Sequence, residues 1–183
     1  MVARSSKGIR EVTIFVISDT HFNHAGILTF KDGLGKPCRS FSSVEDMNET
    51  MIERWNNVVR DGDTVYHLGD VLFGHNKEEF LAKTMPRLRG KKRLIFGNHD
   101  DPKHFVGVGH FSKTMLWRMF PEFNCLLTHV PVHPSTLSEG RFDGKPMINI
   151  HGHIHTSESP EGPYKCVCVE QTNYTPVAIE DLI

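Results

Sequence analysis

The sequence predicts an α/β fold, and three observations predict it. The first half alternates short β-branched or aromatic runs with helix-period stretches in the order strand, helix, strand, helix, strand. Three of those apolar runs end on residues able to ligate a metal, and open α/β sheets carry ligands at the carboxyl ends of their strands. The second half is richer in strands, so the sheet content exceeds what the first half alone supplies. With 183 residues and 38% hydrophobic content, the chain is long enough for a substantial core and is expected to form one domain over residues 1–183.

Residues 1–10 are polar and expected to be loose. Glu11 to Ile17 reads as a buried strand running into Asp19-Thr20-His21. Residues 22–42 hold Asp32-Gly33, Gly35 and Pro37 and read as a long loop with a short helix near Ala25 to Phe30. Ser43 to Val59 is the clearest helix. Val44, Met47, Met51, Trp55 and Val58 form an apolar stripe that belongs to the core, and Ser42-x-x-Glu45 or Ser43-x-x-Asp46 can form a capping box. Asp61-Gly62-Asp63 turns the chain into a strand, Thr64 to Leu68, that delivers Gly69-Asp70. Asn76 to Met85 reads as helix, stopped by Pro86, and Lys92 to Phe96 as a strand delivering Gly97-Asn98-His99-Asp100. Thr114 to Phe120, Cys125 to Thr128, Met147 to His151 and Tyr164 to Glu170 follow as strands, with a short strand or tail over Pro176 to Ile183.

Composition excludes several classes. Lys and Arg number 21 against 22 Asp and Glu, so bulk positive charge does not hold nucleic acid here, and nucleic acid is not expected as the main partner. The apolar run at 12–17 is too short to span a membrane, and Arg4, Lys7 and Arg10 are followed by no signal-peptide pattern, so the expected location is cytoplasmic. Cys38, Cys125, Cys166 and Cys168 form no C-x-x-C pair and read as reduced structural thiols.

Twelve histidines is a high count, and five of them (His21, His99, His129, His153, His155) lie in the metal-ligand pieces. The pieces are Asp19-Thr20-His21, Gly69-Asp70, Gly97-Asn98-His99-Asp100, Thr128-His129 and Gly152-His153-Ile154-His155. Carboxylate, amide oxygen and imidazole suit hard and borderline divalent ions. Asp19, His21, Asp70, Asn98, His129, His153 and His155 supply more ligands than one small ion needs, and Asp70 has two oxygens with which to bridge a pair. Two ions about 3.5–4 Å apart clamp the attacking and leaving oxygens of an in-line displacement. His99 is left without a metal role and is placed to protonate a leaving oxygen or to contact a phosphoryl oxygen.

This ordered set, D-x-H, G-D, G-N-H-D, H and G-H-x-H over residues 19–155, resembles the calcineurin-like metallophosphoesterase superfamily. Val169-Glu170 with Asn173-Tyr174-Thr175-Pro176-Val177 is similar to its small prokaryotic and phage members. The resemblance implies a four-layer αββα sandwich, two mixed β-sheets flanked by helices. It implies one metal on Asp19, His21, Asp70 and His155 and a second on Asp70, Asn98, His129 and His153. It implies catalysis through His99 and the bridging Asp70. Mn²⁺ is the expected ion, with Fe²⁺, Ni²⁺ or Zn²⁺ as alternatives. Some branches carry a carboxylate three residues after the bridging Asp to orient the catalytic histidine; here that position is Phe73. Asp100 reads as a structural turn residue, and His67 and His151 as core or supporting histidines.

The implied activity is that of a metal-dependent phosphoric ester hydrolase acting through a metal-bridging hydroxide. A phosphodiesterase on a nucleotide or cyclic nucleotide is expected, because so short a chain leaves little for a cap. A phosphomonoesterase on small phosphorylated metabolites is the alternative, and a non-catalytic scaffold of the same fold is disfavoured by the full set of motif histidines. Asn23, His24, Arg39 and His133 are the candidate substrate contacts, and Lys36 a further one on the long loop. The oligomeric state is not legible.

Overall fold

The structure, a computed structural model, describes residues 11–137 and 144–183; the expectation for residues 1–10 lies outside them. Among the described residues two α-helices and nine strands follow one another as β1 (Ile14–Ile17), α1 (Val44–Val58), β2 (Thr64–His67), α2 (Lys77–Thr84), β3 (Lys91–Ile95), β4 (Lys113–Met115), β5 (Arg118–Phe120), β6 (Cys125–Leu127), β7 (Ile148–His151), β8 (Tyr164–Cys166) and β9 (Val177–Ala178). One sheet has the order β4-β3-β2-β1-β9 and the other β5-β6-β7-β8. Both are mixed. β1 to β4 run parallel with β9 antiparallel on the edge, and β6 to β8 run parallel with β5 antiparallel. Among the described residues no helix is long and apolar enough to cross a membrane.

Strand alternation divides the core in two. Phe15, Ile17, Val65 and Leu94 face the helices and pack with Met47, Met51, Ile52 and Trp55 of α1 and Leu81 of α2. Val16, Tyr66 and Ile95 face the other way and pack between the sheets against Phe120, Cys125, Leu127 and Ile150. The Met and Trp stripe of α1 is therefore core. Its start is the Ser43 box: Ser43 Oγ accepts from Asp46 N–H, while the Asp46 carboxylate reaches back to Ser42 N–H and Oγ–H.

Several expected elements change. The single strand expected over 114–120 is two strands in different sheets, because the chain leaves the first sheet at Leu116-Trp117 and re-enters in the second. A strand-forming run with neither glycine nor proline carries no mark of such a crossing. The second helix does stop ahead of Pro86, at Thr84, and Pro86 stands in a following 3-10 turn, Met85–Arg87, where its missing N–H costs nothing. The last long strand ends at Cys166. Both α-helices cover the five-stranded sheet; among the described residues the outer face of the four-stranded sheet is closed by Leu137 and Val132 over Leu126, Met147 and Tyr164. Among the described residues the 3-10 turn Pro134–Thr136 leads into Leu137 on that side.

Register decides where the ligands emerge. Ile17 lies opposite His67, and His67 opposite Leu94, so the segments after β1, β2 and β3 leave the sheet at one edge. His151 lies opposite Cys166 and Leu127 opposite Ile150 in the second sheet. The two edges are stitched together where Ser18 N–H donates to Val167 O (2.9 Å) and Val169 N–H to Ser18 O (3.1 Å).

Candidate metal centre

Five of the candidate ligand residues adopt positive φ: Asp19 (58°), His21 (45°), Asp70 (56°), His153 (72°) and His155 (50°). Non-glycine residues seldom take this conformation unless surrounding bonds hold them there. Here each backbone N–H is pinned. Asp19 N–H donates to Gly69 O and His21 N–H to Asp70 O, both at 3.0 Å. Asp70 N–H donates to Asp100 Oδ2 (2.8 Å), His153 N–H to Asp19 Oδ2 (2.8 Å) and His155 N–H to Cys168 Sγ (3.3 Å). The turns that aim the ligands are therefore built by the neighbouring motif pieces.

Two glycines make the close approach possible. A Cβ at Gly97 would stand 2.1 Å from Asp70 Oδ1, and one at Gly152 would stand 2.0 Å from Ser18 Oγ and 2.4 Å from Asp19 Oδ2. Only hydrogen fits at either place.

The side chains gather into two groups, Asp19, His21 and His155, and Asp70, His129 and His153, in each of which the ligand atoms lie within 4.8 Å of one another. Asp70 joins them: its Oδ2 lies 3.6 Å from His21 Nε2 and 3.5 Å from His129 Nε2. In the second group Asn98 Oδ1 stands 2.9 Å from His129 Nε2 and 3.0 Å from His153 Nδ1. In the first, His21 Nε2 and His155 Nε2 are each 3.8 Å from Asp19 Oδ1.

These residues fit a pair of divalent cations, and the orphaned atoms test the fit. Asp19 Oδ1 and both ring nitrogens of His21 are buried without a hydrogen-bond partner, an arrangement that costs free energy unless a cation satisfies them. Two rings have their outer nitrogen fixed as a donor. His129 Nδ1–H donates to Leu68 O (2.8 Å) and His155 Nδ1–H to Glu170 Oε1 (2.9 Å), which turns each Nε2 lone pair inward. Burial would raise the Asp19 and Asp70 carboxyls, but the His21 imidazole beside the first and the His129 imidazole beside the second hold both below the ordinary range. Burial would likewise lower His129, and the neighbouring Asp70 carboxylate with the Asp19 charge raises it instead. Positive charge is drawn to this point.

Asp100 is structural, as its turn position implied. Its carboxylate accepts from the N–H groups of Asp70 (2.8 Å), Val71 (3.0 Å) and Gly97 (2.9 Å), tying the second and third motif pieces together. Asp100→Ala strands these three donors, so a loss of at least about 2 kcal/mol is expected from hydrogen bonds to a charged acceptor. For a chain of this size that is a drop of about 4–8 °C in Tm, measurable by circular dichroism. His67 is a supporting histidine: Gly69 N–H donates to its Nδ1 (3.2 Å), so its Nε2–H is given to Thr20 Oγ1 (2.9 Å). Burial pushes this imidazole down to about 3. His151 donates from Nδ1–H to Gly152 O (2.9 Å).

His99 is exposed, with its ring centroid 5.8 Å from that of His21 and 5.4 Å, edge-on, from Phe73. Phe73 also stacks on His24 at 4.2 Å, so the orienting position holds a ring lodged between two histidines rather than a carboxylate. Burial, with the His21 charge, lowers His24 to about 4. Asn23 and His24 line a cavity of about 510 Å³ with His75 and Lys83.

One expected substrate contact is corrected. Arg39 is 2% exposed, and its guanidinium donates to Glu170 Oε1, Thr20 O and Asp19 O, so it is not a phosphate contact. His133 is not brought to the ligand groups by any described contact; its Nδ1 pairs with Ser135 Oγ (2.9 Å) and Ser135 N (3.3 Å) at the start of a 3-10 turn. Sequence reasoning also missed Glu170 and Cys168. Cys168 Sγ–H donates to Asp19 Oδ2 (3.3 Å), so this thiol touches the site. The signal for Glu170 was its place in the C-terminal stretch that resembles small family members.

Comparison with known proteins agrees with this geometry. A family model described as the calcineurin-like phosphoesterase superfamily domain matches residues 12–169. An uncharacterized protein of Methanocaldococcus jannaschii is 37% identical over 177 residues, covering 93% of this chain and 89% of that protein. The gene 66 protein of Mycobacterium phage L5 is 30% identical over 165 residues, covering 76% of this chain and 75% of its own. A solved structure of a protein of unknown function from Aquifex aeolicus superposes with a TM-score of 0.70 at 25% identity, covering 94% of this chain and 100% of that one.

Proposed function

The chain belongs to the calcineurin-like phosphoesterase superfamily, whose members are metal-dependent hydrolases of phosphoesters, and on that premise we propose a dinuclear phosphodiesterase acting on a nucleotide or cyclic-nucleotide diester. Asp19, His21, Asp70 and His155 would hold one divalent cation, and Asp70, Asn98, His129 and His153 the other. The observation that carries this reading is Asp70 Oδ2, within 3.6 Å of a first-group imidazole and 3.5 Å of a second-group one. The mixed oxygen and imidazole donor set suits Mn²⁺, and also Fe²⁺, Ni²⁺ or Zn²⁺. When bound, such a pair supplies Lewis acidity toward the phosphoryl oxygens and lowers the pKa of water.

The chain's own residues do the rest. Asp70 has a second task, because its Oδ1 accepts from His99 N–H (3.0 Å) and so places the catalytic histidine relative to the ligands. A ring N–H of His99 then gives its proton to the departing ester oxygen, and Phe73 limits the ring's swing by contact alone. His99 and His153 both face solvent, and an open site of this kind accommodates a phosphate carrying two ester arms.

The test is turnover of Mn²⁺-loaded protein on bis-p-nitrophenyl phosphate and p-nitrophenyl phosphate side by side. A diester preference is expected; a monoester preference replaces this reading with the phosphomonoesterase. In the same assay His99→Ala should keep its metals, measured by elemental analysis, while kcat falls roughly 10²–10⁴-fold. An unchanged rate would remove His99 from proton transfer.

A further inference from the structure

The crossing between the sheets leaves two large apolar side chains in water, Leu116 at 73% and Trp117 at 59% exposure. They line a groove of about 610 Å³ together with exposed Val130 and the more buried Met119, Leu126 and Met147. That volume falls within the ~300–1,000 Å³ of small-molecule sites. Asn98 and His129, two of the candidate metal ligands, also line it. The cavity beside His24, whose ring centroid lies 5.5 Å from that of His21, is lined instead by Asn23, His75, Glu79 and Lys83. The two cavities therefore differ in polarity.

We infer that the Trp117 groove is a subsite for a flat aromatic group esterified to the substrate phosphate, a nucleobase-bearing or aryl arm, seated beside Asn98 and His129. The inference rests on the phosphodiesterase reading above and fixes which arm of the diester lies on which side. Continuity with the ligand residues argues for substrate rather than a partner, because whatever fills the groove abuts the groups that would hold the reacting phosphate. Trp117 offers a broad face that tolerates any planar ring. Met119 and Met147 give the groove adaptable thioethers, favourable against aromatic edges.

The experiment varies only the retained arm. Mn²⁺-loaded wild type and Trp117→Ala are assayed on p-nitrophenyl phenylphosphonate and p-nitrophenyl methylphosphonate, which share a leaving group. Wild type should prefer the phenyl compound. Trp117→Ala should lose roughly 5- to 150-fold in kcat/KM on it, the range set by stacking losses on alanine substitution, with the methyl compound unchanged. Trp117 is exposed, so the variant should melt at the wild-type temperature. Equal losses on both compounds, or none on either, would overturn the subsite. Calorimetric titration with benzylphosphonate and methylphosphonate separates the two ideas. Silence in turnover, with tighter benzylphosphonate binding lost in Trp117→Ala, sinks the hydrolytic reading and keeps the groove. Concentration-dependent dimerisation abolished by Trp117→Ala, without ligand discrimination, makes the groove a self-association face and overturns the proposal.

Discussion

Asp70→Asn should bind fewer than one equivalent of Mn²⁺ where the wild type binds two, and its turnover should fall roughly 10³-fold or more. The rate estimate follows from losing about 4 kcal/mol of transition-state charge stabilisation at 1.36 kcal/mol per decade. The structure shows why no other ligand substitutes. Asp70 Oδ2 faces His21 on one side and His129 on the other, while Oδ1 is occupied by His99 N–H. An asparagine must place its NH₂ at one of these positions. At the first it turns two hydrogens toward the cations; at the second it sets a donor against the His99 N–H. Either way the shared negative charge is gone, and Asp19 is left as the one carboxylate among the proposed ligands. Elemental analysis after Mn²⁺ loading and gel filtration reads the outcome. Two equivalents retained would mean that Asp70 does not bridge.

How much of this was legible depended on how local the cause is. Asp19 and His21 stand two and four residues beyond Ile17, the last residue of a buried strand, so a parallel register carries them to the same edge as Asp70 and Asn98 whatever the packing elsewhere. Residue type and offset were enough. The backbone support was half legible: Asp100 announced itself as a turn residue, but its service to Asp70 and Val71, thirty and twenty-nine positions upstream, required the folded chain. Arg39 was misread because a charge in a Gly- and Pro-containing loop reads as solvated. Its partner Glu170 lies 131 positions away, and no periodicity links the two. The split of 114–120 into β4 and β5 escaped for the opposite reason, since an uninterrupted strand-forming run has no local signal for a change of sheet. The exposed Trp117 is the product of that crossing.

The Arg39–Glu170 pair yields the largest expected effect on stability. Arg39 donates from Nε to Glu170 Oε1 (2.8 Å), from Nη1 to Thr20 O (2.8 Å) and from Nη2 to Asp19 O (2.6 Å), so one buried guanidinium holds the carbonyls of the first motif piece. Glu170 Oε1 also accepts from His155 Nδ1–H. Burial would raise the Glu170 carboxyl, but the His155 bond and the Arg39 charge hold it below its ordinary value. Arg39→Met therefore leaves a buried carboxylate and two backbone carbonyls without their donor, at a cost of about 3–5 kcal/mol. At 2–4 °C per kcal/mol in a chain of this size, Tm should fall by about 6–20 °C. Glu170→Gln acts differently. The amide can still accept from His155, yet it removes the charge that makes that imidazole a stronger ligand, and metal affinity should drop about 10–100-fold. The double variant Arg39→Met with Glu170→Met should be less destabilised than the sum of its single changes, since removing both charges leaves neither stranded. Calorimetric melting and Mn²⁺ titration of the four proteins separate the contributions. An additive double variant would mean that the two side chains stabilise the chain independently, and an unchanged metal affinity in Glu170→Gln would mean that His155 needs no orienting carboxylate.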